Sequence, residues 1–317
     1  MSALVETAMY VRVPAWHKMG NVLPKAPTVE EGLVYAGLDW EVEPASVYAT
    51  TDESVLMAPD YKALVRNTDK KILGIVGANY NILQNKEAFN WFDNLLQDGS
   101  AELDAAGSLR EGKSIWVLAK MKQEAEIVEG DKVNQYILLS NTHDGTMAVW
   151  IQFTPIRVVC WNTLTASLST RFEDQVNQKA IHIKHTAGLQ ERMKVAQEIC
   201  DLSKMQFDRD TQAYKDMVKR ECNMQRFQKY SGMVFEKEDI RQYREWYQLE
   251  KGFNTGLGME IPGVAGTMWG AYNTITEFVD YNRGHDETRG NSMWFGEGKR
   301  IKQRAFTLAT KFALNAA

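Results

Sequence analysis

The sequence predicts an α+β protein, with an antiparallel β-sheet and short helices in the N-terminal half and a helical C-terminal half. Apolar runs rich in β-branched and aromatic residues, separated by turn sequences, are concentrated in the first part of the chain. By contrast, residues 187–230 contain no proline and a single glycine, Gly188, and are rich in good helix formers. This change of pattern predicts an α+β region over 1–185 and a helical region over 186–317, either as separate domains or packed as one unit.

The first elements carry recognisable boundary signals. Thr28 followed by Glu31 is a capping box, which predicts a helix over 29–37 that Gly37 ends. Alternation over Leu38–Val42 predicts a strand. Two apolar runs follow, and the polar residues between them predict a β-hairpin of 61–66 with 72–76.

The middle of the chain is predicted to be mainly strand. Asn85 is predicted to cap a helix that continues to about Leu96. Three further strands are predicted over 115–119, 135–139 and 147–153. Asp144-Gly145 between the last two predicts a hairpin.

Helices dominate the remainder after two more predicted strands. The predicted strands cover 156–160 and 180–184, with Asn162 as a helix cap between them. The helices are expected over 187–230 (as one helix or two in series), 237–250, 265–282 and 299–314. Glycine-rich loops are expected over 252–266 and 284–298.

Composition points to a soluble protein of the host cytoplasm. The 317 residues include no apolar run near the ~20 residues that a membrane helix needs, and the start does not resemble a signal peptide. Cys160, Cys200 and Cys222 have no metal-type spacing, which predicts reduced thiols.

No catalytic motif was found, so we expect neither an enzyme nor a cofactor. The sequence has no Gly-x-Ser-x-Gly, no His-Glu-x-x-His and no phosphate-binding glycine loop. His182 and His185 are three residues apart, but they lie at a predicted strand end without nearby metal ligands, so no metal site is predicted. An active site assembled from distant residues stays open.

Charge is divided unevenly along the chain. Residues 1–150 contain 13 Lys or Arg and 21 Asp or Glu, whereas residues 151–317 contain 24 and 20. Near the C-terminus, Trp294 and Phe295 precede a cluster of cations, a mixture that suits base stacking and phosphate neutralisation. The same pattern also fits a solvated basic helix beside core aromatics. Arg157, within an apolar strand, is expected to face solvent, to form a buried ion pair or to contact a ligand phosphate.

Several motifs resemble one family found in phages and plasmids. They are Phe153–Leu164, Trp16-His17, Ala36–Trp40, Ser140–Gly145, Trp269–Asn273 and Trp294–Gly296. The family is known as domain of unknown function 932, or "phage/plasmid-like protein", and the resemblance covers nearly the whole chain. It implies residence in a phage, prophage or plasmid, and it brings no assigned activity. Trp161 stands where a polar residue is expected in this family.

The layout is also similar to single-strand annealing recombinases of the Redβ and Erf type. That similarity implies an oligomer that binds single-stranded DNA without a cofactor, and we expect the DNA to lie between sheet and helices. The residues expected to contact DNA are Arg157, Lys184, Arg192, Trp294, Lys299, Lys302 and Arg304. The alternative is a host-interaction or anti-defence protein, in which the acidic half binds a host protein.

Overall fold

The computed structural model describes residues 5–12, 20–157, 180–198, 202–284 and 296–314. The chain divides into two compact units, each assembled from separate segments. The first unit comprises 1–122, 137–152 and 180–200, and the second comprises 123–136, 153–179 and 201–317.

Two antiparallel sheets contain the strands. The larger has the order β10-β9-β8-β7-β6-β1-β2, in which β1 and β2 are parallel, and the smaller has the order β3-β4-β5. The strands are β1 Val5–Val11, β2 Asn21–Leu23, β3 Val42–Thr50, β4 Val55–Arg66, β5 Ile72–Gly77, β6 Ala101–Leu109, β7 Ser114–Val128, β8 Asp131–Thr142, β9 Val149–Arg157 and β10 Ala180–Ile183.

Most helices follow the strands in sequence, which confirms the predicted α+β class. They are α1 Val29–Tyr35, α2 Asn85–Asn90, α3 Asp93–Gln97, α4 Leu189–Glu198, α5 Leu202–Val218, α6 Met224–Phe235, α7 Glu245–Thr255, α8 Met268–Glu277 and α9 Glu297–Leu314. None of the helices in the described ranges is long and apolar enough to cross a membrane.

Local signals located several elements correctly. Thr28 Oγ1 accepts a hydrogen bond from the Glu31 amide, and the Glu31 carboxylate accepts one from the Thr28 amide, so the capping box is confirmed. Gly37 follows α1 with φ +64°, a conformation that favours glycine. The predicted hairpins β4–β5 and β8–β9 are also present.

The predicted strand over Leu38–Val42 was wrong, as was the cap at Asn85. Asn85 is the first residue of α2, and its buried amide nitrogen donates to the carbonyls of Leu38 and Trp40. A side chain therefore satisfies the backbone of this segment, and β3 begins only at Val42. The predicted helix from Asn85 to Leu96 is divided into α2 and α3.

The first unit is held together by apolar strand faces and by one buried cation. Met9, Leu64 and Phe89 are fully buried. The Arg66 guanidinium contacts the carboxylates of Glu6 and Asp69 and lies 5.3 Å above the centre of the Trp40 ring. The two carboxylates and the Trp40 ring offset the cost of desolvating the buried Arg66 guanidinium.

The second unit packs its helices around aromatic side chains. Trp269 and Tyr272 of α8 and Tyr214 of α5 are completely buried, and the ring of Phe306 lies against Tyr214 edge to face, 5.7 Å between centroids. Trp269 Nε1 donates to Asp131 Oδ2 at 2.8 Å. This core is continuous with residues of the hairpin β7–β8, such as Ile127 and Val133.

Helix boundaries in the C-terminal half differ from prediction at two places. In the described part of 187–230, α6 is a separate helix after α5, because Asn223 starts α6 by accepting a hydrogen bond from the Arg226 amide. The helix predicted over 237–250 is instead a 3-10 turn, Ile240–Gln242, followed by α7, because Tyr243 between them is extended. The expected division at 185/186 also differs from the two units, since α4 belongs to the first unit and residues 123–136 belong to the second.

Candidate nucleic-acid interface

A basic groove of about 1180 Å³ lies in the second unit, between α6, the turn after it and the C-terminal part of α9. Six basic and two acidic side chains line it, so its formal charge is strongly positive. The basic side chains are Arg220, Arg226, Lys229, Lys237, Arg241 and Lys311, and the acidic ones are Glu236 and Glu238. Its volume exceeds the ~300–1,000 Å³ of ordinary small-ligand pockets.

One wall of the groove is formed by a sharp turn at the end of α6. Glu236 has φ 55°, and the Lys237 amide donates to the Gly232 carbonyl at 2.8 Å. A Cβ atom at Gly232 would lie only 2.9 Å from the Lys237 carbonyl oxygen, so glycine permits this close return of the chain. The turn thereby holds the side chains of Lys237 and Glu238 at the groove.

The opposite wall is formed by α9, which contributes both apolar and charged side chains. Leu308, Lys311 and Phe312 line the groove from this helix. The Phe312 ring lies edge to face with Tyr230, 6.0 Å between centroids, which fixes it against the core. Met233 of α6 is 44% exposed, so the groove also offers apolar surface.

The cations differ in how far protein groups already neutralise them. Arg241 forms a bidentate pair with Asp239, which lowers the pKa of that carboxyl to about 2. Lys237 Nζ lies 4.3 Å from the centre of the Tyr243 ring. Lys229 and Lys311 are exposed, and no ion pair or hydrogen bond joins either side chain to another described residue. These two lysines are therefore the cations most available to an anionic ligand.

Lys302, an expected DNA contact, is buried. Its side chain is 3% exposed, and Nζ donates to Asp280 Oδ1 at 2.8 Å. Desolvation by burial lowers the pKa of Lys302 despite this partner. The residue lies on the inward stripe of α9 with Ile301 and Ala305, so a phosphate cannot reach it in this structure.

The other two expected cations of α9 are partly buried. Arg304 Nη1 donates to the Val234 carbonyl at 2.7 Å and lies 3.1 Å from Glu236 Oε2. Burial, with Lys302 nearby, lowers the pKa of Lys299 to about 8. Arg304 therefore borders the groove through Glu236, whereas Lys299 is about three turns away along α9 from Lys311.

Lys184 and Arg192 belong to the first unit, and Arg192 has a structural role there. Lys184 is exposed. The Arg192 guanidinium donates to the carbonyls of Lys184, Thr186 and Ala187, which fixes the segment between β10 and α4. These bonds leave Arg192 few donors for a phosphate.

Two of the expected DNA contacts, Trp294 and the Arg157 side chain, and most of the motif Phe153–Leu164 lie outside the described residues. Trp294 lies outside the described residues, as do the motif residues after Arg157. Arg157 itself ends β9, but its side chain is likewise outside the description. Their roles stay predictions.

The cations in and on both sides of α6 were not predicted from the sequence. Between Lys215 and Arg241, basic residues alternate with acids such as Asp216, Glu221 and Asp239, so no charge run marks the surface. Only folding places the cations on one side and brings Lys311, far away in sequence, beside them. Helical spacing of Arg226, Lys229 and Met233 was the one available signal.

Buried histidines form part of the scaffold of the first unit. His143 is 1% exposed, and its Nε2 lies 2.9 Å from Asn85 Oδ1. Because the Asn85 amide nitrogen already donates to two carbonyls, its oxygen must accept, and His143 Nε2 carries the proton. Burial lowers the pKa of His143 to about 3, so the ring is neutral at neutral pH.

Neighbouring groups complete this arrangement. His185 Nδ1 donates to the Asn81 carbonyl at 2.9 Å, and its ring stacks on Tyr80. Asp144 pairs with Arg110 at 3.1 Å. No group of three or more His, Cys, Asp or Glu side chains in the described ranges is placed to hold a metal ion.

The fold is therefore an α+β protein of two units, and the second unit carries a basic groove. A family model, described as a domain of unknown function (DUF932), matches residues 72–306. The chain therefore belongs to this family, which confirms the resemblance in the sequence motifs. No curated protein and no solved structure matches the chain significantly.

Proposed function

We propose that this protein binds single-stranded DNA, with the basic groove of the second unit as the binding surface. The observation that carries the proposal is the groove itself, in which six cations and two anions surround a space of about 1180 Å³. Cationic side chains bind nucleic acid mainly by neutralising phosphates and releasing counterions. Lys229 and Lys311 are the cations best placed to neutralise phosphates, because their ammonium groups have no protein partner among the described residues.

The shape of the groove favours a single strand over a duplex. Recognition of duplex DNA normally requires a helix or ribbon that protrudes into the major groove, about 12 Å wide. This surface is instead concave, and Met233 and Phe312 provide apolar area inside it. Cationic grooves with apolar or aromatic floors hold single strands by combining phosphate contacts with base contacts.

We further propose that DNA binding serves annealing or recombination in a phage or plasmid. Support comes from the resemblance to phage and plasmid proteins and from the order of a sheet-rich half followed by helices. Of the residues that the sequence predicts to bind DNA, the proposal keeps Arg304 at the border of the groove and Trp294 as a group that stacks on a base. In place of the buried Lys302, the proposal assigns Lys311, which lies nine residues further along α9 and therefore on the opposite side of the helix.

The alternative, a protein that binds a host protein through acidic groups, has weaker support. Many carboxylates of the first unit are already paired with cations, which reduces the negative surface available to a basic partner. The pairs are Glu6–Arg66, Asp69–Arg66, Glu43–Lys70, Glu102–Arg12, Glu111–Lys71 and Asp144–Arg110.

Fluorescence anisotropy with labelled single-stranded and double-stranded oligonucleotides tests the proposal. If four to six phosphates are neutralised, affinity for the single strand should fall roughly 50- to 300-fold between about 50 and 200 mM salt. The single strand should bind more tightly than the duplex at both salt concentrations. Absence of binding at low salt, or binding that does not change with salt, would contradict the proposal.

A further inference from the structure

The three-stranded sheet β3–β5 of the first unit exposes an unusual amount of apolar surface. Seven large apolar side chains on these strands are between 55% and 65% exposed. They are Tyr48, Val55, Leu56, Met57, Tyr61, Ile72 and Ile75. Single exposed apolar residues are ordinary, but a cluster of this size marks an interaction surface.

Strand register places part of this cluster on one side of the sheet. Tyr61 is opposite Gly77, Ala63 is opposite Ile75, and Val65 is opposite Ile72. Residues 61, 63 and 65 point to the same side of β4, because side chains alternate along a strand. Tyr61, Ile72 and Ile75 therefore share one side, and the intervening Leu64 is fully buried on the other.

The outer part of the β3–β4 hairpin is exposed on both sides. Tyr48 pairs with Met57 and Ala49 pairs with Leu56, and every residue from 48 to 57 is exposed. An isolated two-stranded ribbon is at best marginally stable in water. This arm, residues 48–57, should therefore be covered by another surface when the protein functions.

The exposed area matches what a stable dimer requires. Seven side chains that each expose on the order of 100 Å² provide about 700 Å², close to the ~800 Å² per partner of a standard interface. Between Tyr48 and Tyr61 the charged residues are Asp52, Glu53 and Asp60. Interfaces between identical subunits are more apolar than those with transient partners, which resemble the rest of the surface.

We propose that the arm and the outer side of β3–β5 bind the same surface of a second copy of this chain. The contact is isologous, so each Tyr48–Met57 cluster covers apolar groups of the other copy. A two-fold axis across the strands sets the arms antiparallel, which separates the acidic tips at Asp52 and Glu53 and avoids like-charge repulsion. The inference does not depend on DNA binding, because the groove is formed by other residues.

Sedimentation of the full-length protein over a range of concentrations tests the proposal. The protein should be a dimer, and the triple variant Tyr48→Ser, Leu56→Ser, Met57→Ser should raise the dissociation constant at least 100-fold. These side chains make few internal contacts, so the variant should fold normally by circular dichroism. Hydrogen exchange of amides 48–57 in the unmodified protein should be slower at high than at low concentration.

A control variant carries the same number of changes elsewhere. Val195→Ser, Tyr247→Ser, Leu257→Ser removes three comparably exposed apolar side chains outside the sheet, and it should dimerise like the unmodified protein. A monomer at every concentration would overturn the proposal, and so would an arm variant that assembles like this control. Affinity of the arm variant for single-stranded DNA should stay within about two-fold, so the two proposals can fail independently.

Discussion

Lys302 Nζ donates a 2.8 Å hydrogen bond to Asp280 Oδ1, and both side chains are almost fully buried, at 3% and 2% exposed. The bond joins α9 to the π-helical turn Phe278–Asn282 that continues α8. The pair therefore belongs to the core of the second unit, although Lys302 lies in the most basic segment of the sequence.

Replacing Lys302 by methionine should destabilise the protein by about 3–5 kcal/mol, because the buried Asp280 carboxylate would lose the cation that balances its charge. Urea unfolding measures the change. Arg300→Met on the same helix, with a side chain 80% exposed, should change the free energy of unfolding by less than about 0.5 kcal/mol. Equal effects of the two substitutions would show that the buried pair has no special role.

Folding stability should also depend on pH through His143. Its pKa is about 3 in the folded protein and 6.5 without the fold, so the unfolded chain binds the proton more tightly. The contribution of His143 to the free energy of unfolding is therefore fully present above about pH 6.5. It decreases as the pH is lowered and is lost below about pH 3. The loss should approach 1.4 kcal/mol per pH unit within that window.

Urea unfolding at several pH values, compared with His143→Gln, isolates this contribution. The variant should be less stable at pH 7, since it disturbs the contact with Asn85, but its stability should fall less steeply with acid. His185, whose pKa is also lowered, and the paired carboxylates are present in both proteins, so the difference between the two pH profiles reports His143 together with its interactions with His185 and Asp144. Parallel pH profiles for the two proteins would contradict a neutral buried His143.

Two glycines of β5 provide a matched test of packing in the first unit. A Cβ atom on Gly74 would lie 2.5 Å from Asp144 Cα, whereas one on Gly77 would meet nothing within 4 Å. Gly74→Ala should cost about 1–3 kcal/mol, because the backbone at Asp144 must move, and Gly77→Ala should be nearly neutral. Thermal or urea unfolding measures both, and a neutral Gly74→Ala would show that β5 does not contact the β8–β9 turn at Asp144.

Local signals in the sequence predicted much of the fold and little of the site. The capping box at Thr28 and the Asp144-Gly145 turn were found because each depends on adjacent residues. The charge of Lys302 predicts a surface position. The structure buries Lys302 because it lies on the apolar stripe of α9, and the prediction did not take that stripe into account. The groove was missed because it combines Lys229 with Lys311, which are distant in sequence and brought together only by helix packing.

The most direct test of DNA binding in the groove compares Lys229→Ala, Lys311→Ala with a matched control, Lys215→Ala, Lys251→Ala. Both double variants remove two exposed helical lysines of the second unit, but only the first pair lines the groove. Fluorescence anisotropy with single-stranded DNA over a salt series gives the affinity and its salt dependence. We expect the groove variant to bind more weakly than the unmodified protein. The steepness of its plot of log affinity against log salt should decrease by about 1.4, as expected for two lost phosphate contacts. The control should keep the slope of the unmodified protein. Equal slopes for the two variants would contradict the groove as the DNA-binding surface.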